Sequence, residues 1–113
     1  MVVDVADLER SADFWSKVLG YVREGASETY LSLIPADGIG VEILLQRVDD
    51  RKQGKNRLHL DLRTADLEAE VARVRGLGAR QLTEAPIVEA GWVWHVLADP
   101  DQNEFCVLQP PMD

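Results

Sequence analysis

The stretch that decides the fold of this chain is DLERSADFWSKVLG at residues 7–20, because it returns in altered form as DLEAEVARVRGLG at residues 66–78. Both copies begin with Asp-Leu-Glu, 59 residues apart, and continue with helical spacing. The matching offsets hold Leu8, Ala12, Trp15 and Leu19 in the first copy and Leu67, Val71, Val74 and Gly78 in the second. A repeat of this length predicts one small unit used twice, with any site lying between equivalent strands.

Each copy predicts one helix flanked by strands. Asp7 and Asp66 are suited to accept free amide hydrogens at a helix start, and Gly20 and Gly78 to end the helices. Alternating or apolar stretches predict the strands at residues 1–5, 21–24, 29–34, 40–48, 57–63, 79–83, 92–98 and 104–109. The unit is therefore strand, helix, strand, strand, strand, in repeats of about 1–50 and 57–113 that form a single domain.

Composition limits the class of protein. A chain of 113 residues, 46% hydrophobic, is long enough for one core but too short for two independent domains. Its net charge of −8, from 12 basic and 20 acidic residues, argues against a nucleic-acid partner. No apolar run reaches the roughly 20 residues that span a bilayer, so we expect no membrane partner. A single cysteine and the lack of a secretion signal predict a cytoplasmic protein.

The strand patterns predict where polar side chains face. Along residues 57–63, leucines alternate strictly with polar residues, so one face must meet water or a ligand. Helices with a single apolar stripe cover one face of a sheet and leave the other open. We therefore expect an α+β fold in which tandem βαβββ repeats form a curved eight-stranded mixed sheet, a half-barrel cup with helices on its convex face. The open face would carry Glu42, Gln46, His59, Asp61 and Glu104.

Aromatic and sulfur-containing side chains lie in the last two predicted strands. Trp92 and Trp94 share a strand face, and they either join the core or line the cup and stack on a flat ligand. His95 alternates with apolar neighbours and is expected in the core or at an interface. Cys106 stands in an apolar strand, where a free cysteine is usually a small buried hydrophobe. The basic cluster at residues 51–57 is either a solvated loop or, through Lys55 or Arg57, a contact for an anionic ligand at the rim.

The repeated unit, the 7–20 segment and Asp99-Pro100-Asp101-x-Asn103 together resemble the vicinal oxygen chelate superfamily. This superfamily includes glyoxalase I, bleomycin resistance proteins and extradiol dioxygenases, and the resemblance covers essentially the whole chain. The segments Lys55-Asn56-Arg57-x-His59-x-Asp61 and Asn103-Glu104-Phe105-Cys106 are further similar to a glyoxalase-like branch. The resemblance implies the βαβββ fold and, because small members commonly pair, a homodimer.

The resemblance also implies a divalent metal in the enzymes, with one ligand from each of four equivalent strands. His59 and Glu42 match two of these positions, and Cys106 stands where the enzymes usually have glutamate. Cysteine suits zinc better than the hard ions magnesium and manganese. The equivalent of His59 in the first copy would fall at position zero, so either the given sequence is shortened or this ligand is absent. With only His59 and His95, the two-histidine site of an extradiol dioxygenase is not expected.

Two function classes follow from these residues. The favoured one is a small-molecule-binding protein without a complete catalytic metal site, whose ligand contacts His59, Asp61, Gln46, Trp92, Trp94 and Glu104. The alternative is a metal-dependent lyase or isomerase of the glyoxalase I kind. In that case His59, Glu42 and Cys106 would hold zinc, nickel, manganese or iron, and Glu42 is the candidate catalytic residue.

Overall fold

A computed structural model describes residues 1–112, and within that range the chain forms two helices and nine strands. The strands and helices follow in the order β1 Val2–Val5, α1 Leu8–Leu19, β2 Tyr21–Ala26, β3 Tyr30–Pro35, β4 Ile43–Arg47, β5 Asp61–Arg63, α2 Leu67–Leu77, β6 Arg80–Gln81, β7 Ile87–Glu89, β8 Trp92–Ala98 and β9 Glu104–Gln109. The chain divides into two compact units, residues 1–53 and residues 54–113.

The first unit is a four-stranded mixed sheet with α1 packed against it. The strand order is β1-β4-β3-β2, and β1 runs parallel to β4 with Val2 opposite Leu44, while the other pairs are antiparallel. Side chains buried in this unit include Phe14, Trp15, Leu31, Leu33 and Leu45. Phe14 and Trp15 meet edge to face, with ring centroids 5.0 Å apart.

The second unit repeats this plan. Its strand order is β5-β9-β8-β6, and β5 runs parallel to β9 with Asp61 opposite Cys106. The short strands β6 and β7 both pair with β8, so together they take the place that the continuous β2 has beside β3. Helix α2 buries Leu67, Val71 and Val74 in this unit.

The helix ends form as their sequence predicts. The Asp7 carboxylate accepts a hydrogen bond from the Arg10 N–H, and the Asp66 carboxylate accepts one from the Ala69 N–H. Gly20 ends α1 with φ of 70°, and its N–H donates to the Ser16 carbonyl. Because glycine adopts this left-handed conformation most easily, the chain can turn directly into β2.

The expected α+β architecture of two βαβββ modules is confirmed. The strands belong to two mixed sheets, one of four and one of five strands within residues 1–112. The extra strand arises because the connection between α2 and β8 contains β7, in a stretch where no strand was expected. The edge strand of the second sheet is thus interrupted between Gln81 and Ile87.

The predicted strand over residues 57–63 is wrong in its first half. Regular pairing begins at Asp61, and Leu58, expected on an apolar face, is 89% exposed. Asn56 is hydrogen-bonded to Glu104, which fixes the segment ahead of β5 without strand pairing. The ladder is extended by one bond, from the Cys106 N–H to the Leu60 carbonyl.

Candidate functional site

Three side chains of different chemistry meet at the β5–β9 pair of the second unit. The parallel register places Asp61 opposite Cys106, and His59 lies two residues ahead of Asp61. The Nε2 atom of His59 is 3.1 Å from the Asp61 carboxylate oxygen Oδ1. One donor atom from each residue lies within 4.8 Å of the other two, so His59, Asp61 and Cys106 form a cluster that offers nitrogen, oxygen and sulfur.

The thiol in this cluster is held in its neutral form. Burial raises the pKa of Cys106 to about 11, and the charge of Asp61 and its hydrogen bond with the thiol act in the same direction. Lys55 opposes these effects with a smaller lowering of the pKa. Because a thiol is nucleophilic as the thiolate, Cys106 in this environment is not an activated nucleophile at neutral pH.

Two tryptophans lie beside the cluster on the same side of the sheet. In β8, Trp94 pairs with Leu108 and Val96 pairs with Cys106, so alternate residues of β8 and β9 share this face. The Arg63 guanidinium lies 5.1 Å from the centroid of the Trp92 ring. At that distance the cation is attracted to the ring face.

Together these residues line a cleft of about 540 Å³ within the second unit. Its lining residues are Lys55, His59, Asp61, Ile87, Glu89, Ala90, Trp92, Trp94, Val96, Cys106 and Leu108. The lining therefore combines aromatic and aliphatic side chains with ionisable groups. This combination is typical of small-molecule sites, in which apolar walls bury a ligand and a few polar groups orient it.

The expected ligand contact Glu104 lies outside this lining. Its carboxylate accepts a hydrogen bond of 2.8 Å from the Asn56 backbone N–H. In the side-chain amide orientation that satisfies both groups, the Asn56 amide nitrogen donates to the Glu104 carboxylate over 3.2 Å. The Asn56 amide oxygen then accepts from the Glu104 backbone N–H over 3.1 Å. These bonds give Glu104 a structural role in anchoring the segment ahead of β5.

Two other predicted site residues belong to the first unit. Glu42 comes just before β4, and its carboxylate accepts a hydrogen bond from the Ser32 hydroxyl. Gln46 is half-buried in β4, opposite Tyr30 and Asp4. The predicted metal set of His59, Glu42 and Cys106 stays a prediction, whereas the second unit by itself brings Asp61 to His59 and Cys106.

His95 lies in the core, as expected. It is buried on the opposite face of β8 from the tryptophans, and its Nδ1 atom is 2.7 Å from the Thr83 hydroxyl. Gln81 provides a second contact to the same nitrogen at 3.4 Å. This histidine thus joins β6 and the following residues to β8 and takes no part in the cleft.

Five residues of the cleft were not among the predicted contacts: Val96 and Leu108 belong to predicted strands, and the other three come from one hairpin. Ile87, Glu89 and Ala90 lie in β7 and its turn, in a stretch where no strand was expected. The turn consists of Ala90 and Gly91, both with positive φ, at 51° and 83°. Glycine at the second position is consistent with a tight hairpin, but alanine at the first is a poor indicator of one.

The sequence profile of the family described as Glyoxalase-like domain matches residues 1–108. The chain belongs to this family. The match covers both units, and with the structural relatives below it confirms the vicinal oxygen chelate superfamily that the sequence motifs indicate. A comparison with curated protein sequences finds no match.

Solved structures of the superfamily share the fold. A glyoxalase/bleomycin resistance protein/dioxygenase family enzyme from Burkholderia phytofirmans superposes with a TM-score of 0.79 at 16% identity, covering 96% of this chain and 94% of that one. The fosfomycin resistance protein FosX of Listeria monocytogenes, complexed with Mn(II) and sulfate, has a TM-score of 0.77 at 18% identity, covering 98% and 87%. A glyoxalase/bleomycin resistance protein from Albidiferax ferrireducens is 22% identical with a TM-score of 0.66, covering 97% and 95%.

Neither helix of residues 1–112 has the length and apolar character that crossing a membrane requires.

Proposed function

We propose that this chain is a small-molecule-binding protein whose ligand occupies the cleft of the second unit. The observation that carries the proposal is the juxtaposition of Trp92 and Trp94 with the His59, Asp61 and Cys106 cluster in one cleft of about 540 Å³. Ligand sites commonly measure about 300–1,000 Å³, so the volume suits a drug-sized or metabolite-sized molecule. Binding of this kind needs neither a catalytic base nor a complete metal site.

The lining favours a flat ligand with a polar end. A planar ring can stack on an exposed tryptophan face, where aromatic pairs contribute about 0.5–1.5 kcal/mol beyond the burial of area. His59 and Asp61 offer hydrogen bonds, and Lys55 supplies a cation to the same cleft. We propose sequestration of an aromatic or drug-like compound or metabolite as the biological role.

The test is a ligand screen on metal-free protein, followed by a matched pair of variants. Trp94→Ala removes an aromatic wall and is expected to weaken binding of any hit by at least about tenfold. Val88→Ala is the control, because Val88 belongs to the same hairpin but is 67% exposed and does not line the cleft. A hit whose affinity is unchanged by Trp94→Ala, or a broad screen by thermal shift without any hit, would contradict the proposal.

A second candidate function is a metal-dependent lyase or isomerase of the glyoxalase I kind. The cluster of His59, Asp61 and Cys106 supports it, since one nitrogen, one oxygen and one sulfur lie within 4.8 Å of one another. A mutant of the related FosX has been crystallised with Mn(II) and 1S,2S-dihydroxypropylphosphonic acid. A bound divalent ion, whether zinc, nickel, manganese or iron, would polarise a substrate carbonyl, and Glu42 is the candidate base.

Turnover separates the two functions. The enzyme hypothesis predicts that metal-loaded protein converts a hemithioacetal or related carbonyl compound, and that His59→Ala and Glu42→Gln each abolish turnover. Glu28→Gln is a suitable control, because Glu28 is another exposed acid of the first unit. The absence of turnover with each of the four metals would exclude this second function and leave ligand binding untouched.

We further propose that the two units act as one domain in a cytoplasmic homodimer. The profile match across residues 1–108 supports the single domain, and the free thiol of Cys106 suits a reducing compartment. Sedimentation equilibrium of the whole chain tests the dimer, which predicts twice the chain mass of 12.6 kDa. A single species at the chain mass would contradict it.

A further inference from the structure

The donor set at the β5–β9 pair differs in chemistry from an all-oxygen site. Among residues 1–112, His59, Asp61 and Cys106 are the one group of such side chains close enough to share an ion. Imidazole, carboxylate and thiolate together match the ligands that zinc uses in proteins. Thiolate in particular favours thiophilic ions over manganese and magnesium, which prefer carboxylate, carbonyl and water.

The backbone around the cluster fixes two of the three residues. Asp61 and Cys106 are partners in the parallel ladder, and the Cys106 N–H donates to the Leu60 carbonyl over 2.8 Å. Cys106 is 8% exposed and sits on the floor of the cleft. The floor position of the sulfur is thus set by strand pairing rather than by a mobile loop.

The other two side chains have room to adjust. The side chains of His59 and Asp61 are 37% and 51% exposed, so they can change rotamer at little cost in packing. The three donor atoms now lie within 4.8 Å of one another. Metal–ligand bonds of about 2.0–2.3 Å require these atoms to be closer together than that upper value. Small rotations of the two exposed side chains toward the buried sulfur would supply that approach.

We propose that His59, Asp61 and Cys106 form a thiolate-containing metal site that selects zinc and cobalt over manganese. On binding, the ion forms bonds to a His59 ring nitrogen, an Asp61 oxygen and the Cys106 sulfur, and the thiol proton leaves to solvent. No electron is transferred. Three protein ligands would leave one position of a tetrahedral ion open, as in catalytic rather than structural zinc sites.

The site does not depend on the proposed organic ligand, so its test uses the metals alone. Metal-free protein is titrated with Co²⁺, which gives a sulfur-to-cobalt charge-transfer absorption when a thiolate coordinates it. Because Cys106 is the only cysteine of the chain, such a band in the wild-type protein identifies its ligand without any variant. We expect one equivalent of Co²⁺ per chain with the band, displacement by Zn²⁺, and no displacement by equimolar Mn²⁺.

Variants then assign the ligands. Cys106→Ser is expected to remove the band, and His59→Ala and Asp61→Asn to weaken Zn²⁺ binding by at least about tenfold, since even residues behind the ligands cost 10–100-fold. Glu68→Gln, an exposed acid on α2, is the control that leaves binding unchanged. Saturable binding without the band, tighter binding of Mn²⁺ than of Zn²⁺, or no saturable binding would each overturn the proposal. Because the wild-type spectrum alone reports the thiolate, an unfolded Cys106→Ser variant would not weaken the test.

Discussion

At the scale of single residues, the chemistry of the cleft depends on what surrounds each side chain. Cys106 and Asp61 face each other across two paired strands, and the Asp61 carboxylate raises the pKa of the Cys106 thiol. Burial removes water from the sulfur, and the neighbouring carboxylate repels a second negative charge. The sequence predicts a buried cysteine in an apolar strand but not its carboxylate neighbour, because that contact depends on the register between β5 and β9.

Thiol reactivity provides a test of this environment. With burial and Asp61 raising the pKa of Cys106 to about 11, the alkylation rate of metal-free protein should keep rising as pH increases through 10. Asp61→Asn removes a charge and a hydrogen bond that raise this pKa, so the profile should move to lower pH. The measurement is the iodoacetamide rate as a function of pH, with Glu68→Gln as the control. A profile centred near pH 9 in the wild-type protein would contradict the prediction.

The turn between β7 and β8 contains a residue in an unfavourable conformation. Ala90 has φ of 51°, a left-handed value that costs a residue with a Cβ about 1–2 kcal/mol. Asparagine tolerates this conformation better, and Asn-Gly is a preferred pair for two-residue hairpins. We expect Ala90→Asn to raise the free energy of unfolding by about 0.5–1 kcal/mol, measured by denaturant titration.

At the neighbouring Gly91, we expect a substitution to destabilise the protein. Gly91 has φ of 83°, and a Cβ there would lie 3.1 Å from the Cβ of Pro111. Gly91→Ala should therefore lower the free energy of unfolding by at least about 1 kcal/mol. Equal effects of the two substitutions would show that this turn does not have the described conformation.

At the scale of elements, the helices are the part of the fold that the sequence predicts best. Their bounds, Leu8–Leu19 and Leu67–Leu77, agree with the prediction because apolar spacing, an aspartate cap and a terminal glycine all indicate the same segment. Short strands lack such local markers. The three-residue strand β7 is defined by its pairing with β8, which is a contact between segments and leaves little trace in its own sequence.

The helix caps can be tested by a matched substitution. Asp7→Ala removes the hydrogen bond to the Arg10 N–H and should lower the free energy of unfolding by about 1 kcal/mol. Asp13→Ala in the same helix removes only an exposed ion pair with Lys17, worth less than about 0.5 kcal/mol. Urea titrations of both variants make the comparison, and an equal loss for the two would contradict the capping role.

At the scale of the whole molecule, the net charge predicts weak affinity for nucleic acid. The net charge of −8 repels nucleic acid, and attraction to the few basic side chains would be strongest at low ionic strength. We expect no mobility shift of duplex DNA by micromolar protein in low salt at pH 7. A shift that disappears as salt increases would show that a basic patch outweighs the overall charge.

The sequence predicts the two modules and part of the cleft, but not all of the residues that line it. Composition, the repeat and the motifs predict the two modules and the superfamily, and alternation in β8 places Trp92 and Trp94 on one face. The contribution of Lys55, Ile87 and Glu89 to the cleft depends on irregular backbone and on a hairpin turn. Such conformations arise from tertiary contacts, such as the bond between Asn56 and Glu104, that no local pattern encodes.

Each unit contains one parallel strand pair, so equivalent positions of the two repeated copies can be compared directly. Where the second unit sets Asp61 opposite Cys106, the first sets Val2 opposite Leu44, at the same place in an equivalent strand order. One copy thus shows that an aliphatic pair suffices to build this part of the sheet. The acidic and sulfur-bearing pair of the other copy is therefore not required for this strand pairing.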